Sequence, residues 1–200
     1  MAFKAGQRLQ NGKYTVEQEI GRGRFGITYR ARDNQGKLWV IKTPSDEALR
    51  QGNKQQAAKR QDKFWREAAK LATCQHPHIV RAREPFMERT GSLLGRREHL
   101  CIPMEFIDGK DLGNRPAMPV EEALRYIQQI GEALILVHSK GLLHLDVKPA
   151  NIVVGKDSKE AYINYTVLLI KIKGILMRIK SEICIRFPFI VIKISAWQMV

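Results

Sequence analysis

Hydrophobic and polar residues alternate well enough over residues 14–20 to predict a strand. Residues 27–31 and 38–41 read as two more, the last a run of Leu38, Trp39, Val40 and Ile41. Between these two, Asp33-Asn34-Gln35-Gly36 is turn chemistry. Residues 46–72 then read as helix, polar at first and interrupted at Gln51-Gly52-Asn53. Phe64, Ala68 and Leu71, spaced i, i+4, i+7, form its apolar stripe. An apolar run over 100–107 predicts a further strand, and its Pro103 removes one amide, which is tolerable at an edge or bulge. The clearest helix covers 119–138, where Leu124, Ile127, Gln128, Ile130, Leu134 and Val137 lie on one wide face. Pro119, Glu121 and Glu122 suit its start and Gly141 its stop, and His138 reads as a packed or capping side chain. Beyond it, Leu142-Leu143 and Ile152-Val153-Val154 bracket a polar stretch and predict short buried strands that hold it rigid.

Composition changes this picture little. Two hundred residues suffice for one domain or a small two-lobed one. The net charge of +14, from 34 Lys and Arg against 20 Asp and Glu, admits nucleic acid or an anionic membrane. The basic residues are scattered with no aromatic-interleaved array, so a basic surface around a phosphate-handling site is the better reading, with no nucleic acid expected. Cys74, Cys101 and Cys184 are far apart and make no C-x-x-C pair, which fits a reducing, cytoplasmic setting. The first ten residues lack the apolar core of a secretory signal.

The bracketed polar stretch carries the chemistry: His144-Leu145-Asp146-Val147-Lys148-Pro149-Ala150-Asn151. An Asp can orient or deprotonate a hydroxyl, a Lys two residues on can neutralise a phosphate, and an Asn three further can ligate a hard cation. The stretch resembles the catalytic loop of protein kinases, H-R-D-L-K-P-x-N. Upstream, Gly21-Arg22-Gly23-Arg24-Phe25-Gly26 lets backbone amides approach phosphate oxygens. The same spacing serves dinucleotide turns, but those need a helix next, and here a β-branched strand follows, as in the kinase glycine-rich hairpin.

The resemblance implies roles for further residues. Ile20, Thr28 and Val40 would roof the adenine, with Thr28 in the usual Val position and Val40 in that of an Ala. Lys42 is by itself a strand-end lysine able to snorkel to water; the resemblance makes it the ligand of the α- and β-phosphates. Glu67, beside the apolar stripe and 25 residues on, is its expected partner, with Glu47 the rival and the Gln/Lys-rich 51–63 an insertion. His76-Pro77-His78-Ile79-Val80 looks like the family's H-P-N-I-V turn into a fourth strand, and two His without a third ligand fall short of a metal site. Met104 would be the gatekeeper, the Glu105 carbonyl and Ile107 amide would pair with adenine, Asp111 would sit by the ribose, and Val153 would floor the pocket. Leu145 replaces an Arg that normally pairs with a phosphorylated activation loop, which implies no such dependence. Lys148 two after Asp146 favours serine/threonine kinases.

The expected fold is therefore α+β and two-lobed. A small antiparallel-sheet lobe with one helix spans 1–107, a hinge 108–113, and the start of a helical large lobe 114–160, so the chain is expected to stop inside the domain. The expected function is transfer of the γ-phosphoryl of ATP to Ser or Thr of a protein substrate, with Mg2+ held by Asn151. Asp146, Lys148 and Asn151 would be catalytic. Where the family gives one more strand and Asp-Phe-Gly, residues 161–170 run Ala-Tyr-Ile-Asn-Tyr-Thr-Val-Leu-Leu-Ile, and no Asp follows Asp157. Ten Ile fall in 161–200 against ten in 1–160, which marks 161–200 as an aberrant tail from a shifted frame or damaged gene, with a divergent tail as the alternative. Its Lys and Arg interrupt every apolar run, so no membrane span is expected, and it is an aggregation liability. The missing Asp predicts an impaired kinase, or a non-catalytic remnant that binds nucleotide or a partner.

Overall fold

The computed structural model describes residues 2–23, 26–44, 59, 62, 65–66, 68–91, 97–144 and 146–164, and the backbone of 183–187 and 190–194. The chain forms two units: Met1–Gln75 with Val80–Phe106, and His76–Ile79 with Ile107–Val200.

The first unit is built on an antiparallel sheet. Its strands are β1 (Arg8–Leu9), β2 (Tyr14–Gly23), β3 (Gly26–Asp33), β4 (Leu38–Pro44), β5 (Phe86–Thr90) and β6 (Arg97–Glu105), in the order β1-β2-β3-β4-β6-β5. β1 is additional to the expected strands, while β5 follows the His-Pro-His segment, after which a fourth strand was expected. The turn between β3 and β4 closes on Asp33, whose Oδ1 accepts from the amides of Gln35 (3.0 Å) and Lys37 (2.9 Å) and whose Oδ2 accepts from Trp39 Nε1 (2.8 Å). Alternation sends Tyr14, Val16, Tyr29, Ala31, Trp39 and Ile41 into a core with Leu9, Phe86 and Cys101. The N-terminal segment covers this core. Phe3, 1% exposed, packs on Tyr29 and His99 at ring-centroid distances of 5.3 and 5.4 Å. The amides of Ala2 (3.1 Å) and Phe3 (3.3 Å) donate to the Tyr29 hydroxyl. In the helix that follows β4, residues 59, 62, 65–66 and 68–72 are described, and Ala68 and Leu71 are buried as their spacing predicts. Phe64 lies outside the described residues.

The second unit is organised by helix α1 (Val120–Ser139) and a sheet of β7 (Gly109–Asp111), β8 (Ile152–Gly155) and β9 (Ala161–Ile163). The helix ends in a Schellman motif: Gly141, φ 67°, donates to the His138 carbonyl at 2.9 Å and Leu142 to that of Val137 at 3.2 Å. The buried face differs from the expected one. Tyr126, Gln129, Ile130, Ala133, Leu134 and Val137 are buried, while Leu124 is 53% exposed. The reason is Gln129, whose amide oxygen accepts from the Ala161 amide at 2.9 Å and whose Nε2 donates to Glu160, so the helix turns this side toward β9. Leu142 is buried but not in a strand, whereas Ile152–Gly155 is the short strand expected.

Ala161–Ile163, grouped with the tail in the sequence reading, is a strand paired to β8 throughout its length. Its other edge receives His76–Ile79: the Ile163 amide donates to the His78 carbonyl (2.9 Å), and His78 Nδ1 lies 3.1 Å from the Ala161 carbonyl oxygen. These bonds place the His-Pro-His segment in the second unit. The next strand on, β5, begins at Phe86. Farther along the tail, β10 (Ile183–Phe187) and β11 (Ile190–Ile194) form an antiparallel hairpin. No helix among the described residues is long and apolar enough to cross a membrane.

Candidate active site

In the second unit four residues close a hydrogen-bonded ring. Asp146 N donates to His144 Nδ1 (3.3 Å), and His144 Nε2 lies 3.2 Å from the Asn164 carbonyl oxygen. Asn164 N donates to the Asn151 carbonyl (2.8 Å), and Asn151 Nδ2 returns to Asp146, on its carbonyl (2.7 Å) and on Oδ2 (2.8 Å). The bond accepted at Nδ1 leaves the imidazole proton on Nε2, where it donates to Asn164. Burial pushes the His144 pKa down, the bond to Asn164 pulls it partly back, and the net shift is downward, in keeping with a neutral ring. Local sequence explains the loop's path. Pro149 opens a 3-10 turn, Pro149–Asn151, and Asn151 N bonds the Lys148 carbonyl at 2.9 Å.

Asp146 is the centre of the ring. Lys148 Nζ sits 2.8 Å from its Oδ2, the same oxygen that accepts from Asn151. Oδ1 receives neither bond. Burial pushes the Asp146 carboxyl up, but the Lys148 and Asn151 bonds outweigh it and hold the pKa below the ordinary value of 3.8. The group is therefore an ionised acceptor with one open oxygen, beside a half-exposed ammonium. Asp146, Lys148 and Asn151 thus converge as their spacing predicts. Asn164 is the ring member that sequence reasoning missed. Its signal was the strand-length apolar run that ends at Ile163, after which the family pattern places an acidic residue.

In the first unit the glycine-rich segment is the tip of the β2–β3 hairpin, with Gly23 opposite Gly26 and Gly21 opposite Thr28. Thr28 faces Lys42, and Val40 faces Met104. Because Trp39, Ile41 and Thr43 point into the core, Gly21, Thr28, Val40, Lys42 and Met104 share the opposite face of the sheet. Met104 is 3% exposed. Ile20 occupies an irregularity between Glu19 and Gly21 and is 43% exposed. Gly26 is glycine for the fold's sake: its φ is 153°, and a Cβ would lie 2.3 Å from the Thr43 carbonyl oxygen. Gly21 and Gly23 are different. Among the described residues beyond its chain neighbours, a Cβ on Gly23 meets nothing within 4 Å, and one on Gly21 meets only Thr28 Cβ at 3.9 Å.

The remaining expected residues divide. Glu105 ends β6 with its amide on the Arg81 carbonyl (2.8 Å) and its carboxylate on Lys37 Nζ (3.0 Å). Ile107 opens the longer segment of the second unit. Asp111 caps the 3-10 turn Leu112–Asn114: Oδ1 accepts from Asn114 N (3.0 Å) and Oδ2 from Asn114 Nδ2 (2.9 Å). It stands opposite the half-buried Val153 in the β7–β8 pair. Glu67, Glu47, Leu145 and the tip residues Arg24 and Phe25 lie outside the described residues.

Comparison with known proteins gives the family. The family model for the protein kinase domain matches residues 14–173, thirteen residues farther than the motifs alone carry the likeness. Serine/threonine-protein kinase PkaA of Streptomyces coelicolor is 33% identical over 166 residues, 78% of this chain and 29% of the relative. Serine/threonine-protein kinase pkn2 of Myxococcus xanthus is 29% identical over 74% of this chain and 17% of its own length. A crystal structure of the PknI kinase domain of Mycobacterium tuberculosis, a double mutant, superposes with a TM-score of 0.67 at 26% identity, covering 82% of this chain and 64% of that one. The chain thus spans less than a third of these two bacterial relatives and just under two thirds of the solved domain. With the family model matched over most of its length, on a fold shared with a solved kinase domain, the chain belongs to the protein kinase family.

Proposed function

We propose that this chain is a serine/threonine protein kinase domain that binds ATP and transfers its γ-phosphoryl group to protein Ser and Thr hydroxyls at an impaired rate. The observation that carries this reading is the ionised Asp146, fixed by the ring and set against Lys148. The open Oδ1 accepts a hydrogen bond from the acceptor hydroxyl and orients its oxygen. A carboxylate held below its ordinary pKa is a weak base, so positioning is its main contribution. Lys148 leaves Asp146 to neutralise the transferred phosphoryl group.

For the nucleotide, the reading is supported by Gly21 and Gly23, glycines that neither backbone conformation nor packing demands. The bare backbone there admits phosphate oxygens to the amides. Lys42, on the same face, holds the α- and β-phosphates with Glu67 as its partner, and Ile20, Thr28, Val40 and Met104 contact the base. The Glu105 carbonyl and Ile107 amide pair with adenine. Asp111 keeps lone pairs for ribose hydroxyls beyond those given to Asn114.

The family generally uses Mg2+ with ATP. The donors here do not fit a firmly held magnesium. No group of three His, Cys, Asp or Glu converges among the described residues. The ring offers the amides of Asn151 and Asn164 and one carboxylate already bonded by Lys148. Hard dications favour carboxylate oxygens. This observation favours a second reading, a nucleotide-binding module without transfer.

The test is label transfer from γ-labelled ATP to a mixed protein substrate, followed by identification of the labelled amino acid. Slow labelling of Ser and Thr that disappears in Asp146→Ala is expected. Labelling unchanged in Asp146→Ala would overturn the proposal, and bound ATP with no labelling at all would leave the second reading.

A further inference from the structure

We propose that Asn164 sets the metal dependence of this chain: it fills the position from which an acidic residue would hold a divalent cation, and as a neutral amide it makes nucleotide binding indifferent to magnesium. This rests on the nucleotide-binding reading above. Position 164 is fixed by its backbone. It follows β9 directly, its amide is held by the Asn151 carbonyl at 2.8 Å, and its carbonyl lies 3.2 Å from His144 Nε2. Both anchors are catalytic-loop residues, and Asn151 is also the residue bonded to Asp146. The ring therefore delivers residue 164 to the Asn151 and Asp146 end of the unit whatever side chain it carries.

The chemistry of that side chain decides what the position can do. Magnesium binds through one or two protein carboxylates together with substrate phosphates and keeps several waters. Here the ring supplies two amides, and its sole carboxylate already accepts from Lys148 and Asn151. An amide oxygen has no formal charge to offset the cost of dehydrating the dication. Cation neutralisation of the phosphates then falls to the protein's own Lys and Arg. Asp has the shape of Asn, and the two ring bonds at 164 are made by its backbone N and O, so Asn164→Asp adds one charge without removing either group from the ring.

The test uses the full chain and its Asn164→Asp variant in two arms. In the first, a fluorescent ATP analogue is titrated in magnesium and in EDTA. The parent is expected to bind equally in both, and Asn164→Asp to bind at least about tenfold more tightly with magnesium, one decade of affinity. In the second, Mn2+ alone is titrated with no nucleotide and followed by electron paramagnetic resonance. Asn164→Asp is expected to bind Mn2+ more tightly than the parent. A parent that gains tenfold in magnesium, or equal Mn2+ affinities in the two folded proteins, overturns the proposal. If Asn164→Asp does not fold, the parent arm still decides. If neither protein binds the analogue, the nucleotide reading fails, and the Mn2+ arm judges this inference alone.

Discussion

Gly26→Ala should unfold the first unit more easily, by an amount that follows from the β3–β4 pair. The new Cβ would stand 2.3 Å from the Thr43 carbonyl oxygen and 3.0 Å from Pro44 Cα, at a φ of 153°. A side chain held in that backbone region costs about 1–3 kcal/mol. The carbonyl belongs to backbone and can yield only by opening the end of the β3–β4 ladder, where each lost hydrogen bond costs about 1 kcal/mol. Together these give about 3 kcal/mol, which for a chain of this size lowers Tm by about 6–12 °C. Gly23→Ala is the control across the same hairpin. No described residue beyond its chain neighbours lies within 4 Å of its Cβ, so its stability should stay within about 0.5 kcal/mol of the parent. Thermal melts followed by circular dichroism compare the three proteins. A Gly26→Ala Tm within about 2 °C of the parent, or an equal loss in Gly23→Ala, would refute the steric argument.

Three further outcomes are expected. Asn151→Ala removes two bonds to Asp146, one of them to a carboxylate, from a residue only 5% exposed, and should cost about 2–4 kcal/mol in urea unfolding. Phe3→Ala empties the plug against Tyr29 and His99 and should cost about 3–5 kcal/mol by the same measurement, whereas a change below about 1 kcal/mol would mean the N-terminal segment is not part of the core. Stability should fall as pH drops below 6.5. Burial holds His76, His138 and His144 below that unfolded value, so the unfolded chain takes up protons first; a flat or rising unfolding free energy from pH 7.5 to 5.5, with all measurements at about the same ionic strength, would contradict this.

Much of this was legible in the chain because the informative features are local. The β2–β3 hairpin, the strand ending near Lys42, helix α1 and the Asp146, Lys148, Asn151 convergence all follow from spacing within a few residues. What was not legible depends on distant partners. β1 is two residues long and has no period to detect. Phe3 is informative only once Tyr29 and His99 have met. The inward face of α1 turns on Gln129, a polar residue whose burial is set by the Ala161 amide thirty-two residues on. Ala161–Ile163 was obscured by the composition change that begins there, although a three-residue strand needs only a neighbour to pair with. Asn164 escaped because an amide is not the residue type that site chemistry leads one to seek. Its place is revealed only by the two backbone bonds to His144 and Asn151.

Gly23→Val puts to the test the phosphate-binding role proposed for the β2–β3 hairpin. The fold leaves open space at this position, so the variant should melt with the parent. A β-branched side chain standing where phosphate oxygens approach should weaken binding of ATP, measured by calorimetry, by at least about tenfold, or 1.4 kcal/mol. ATP bound with undiminished affinity by a Gly23→Val chain of parental stability would contradict the account.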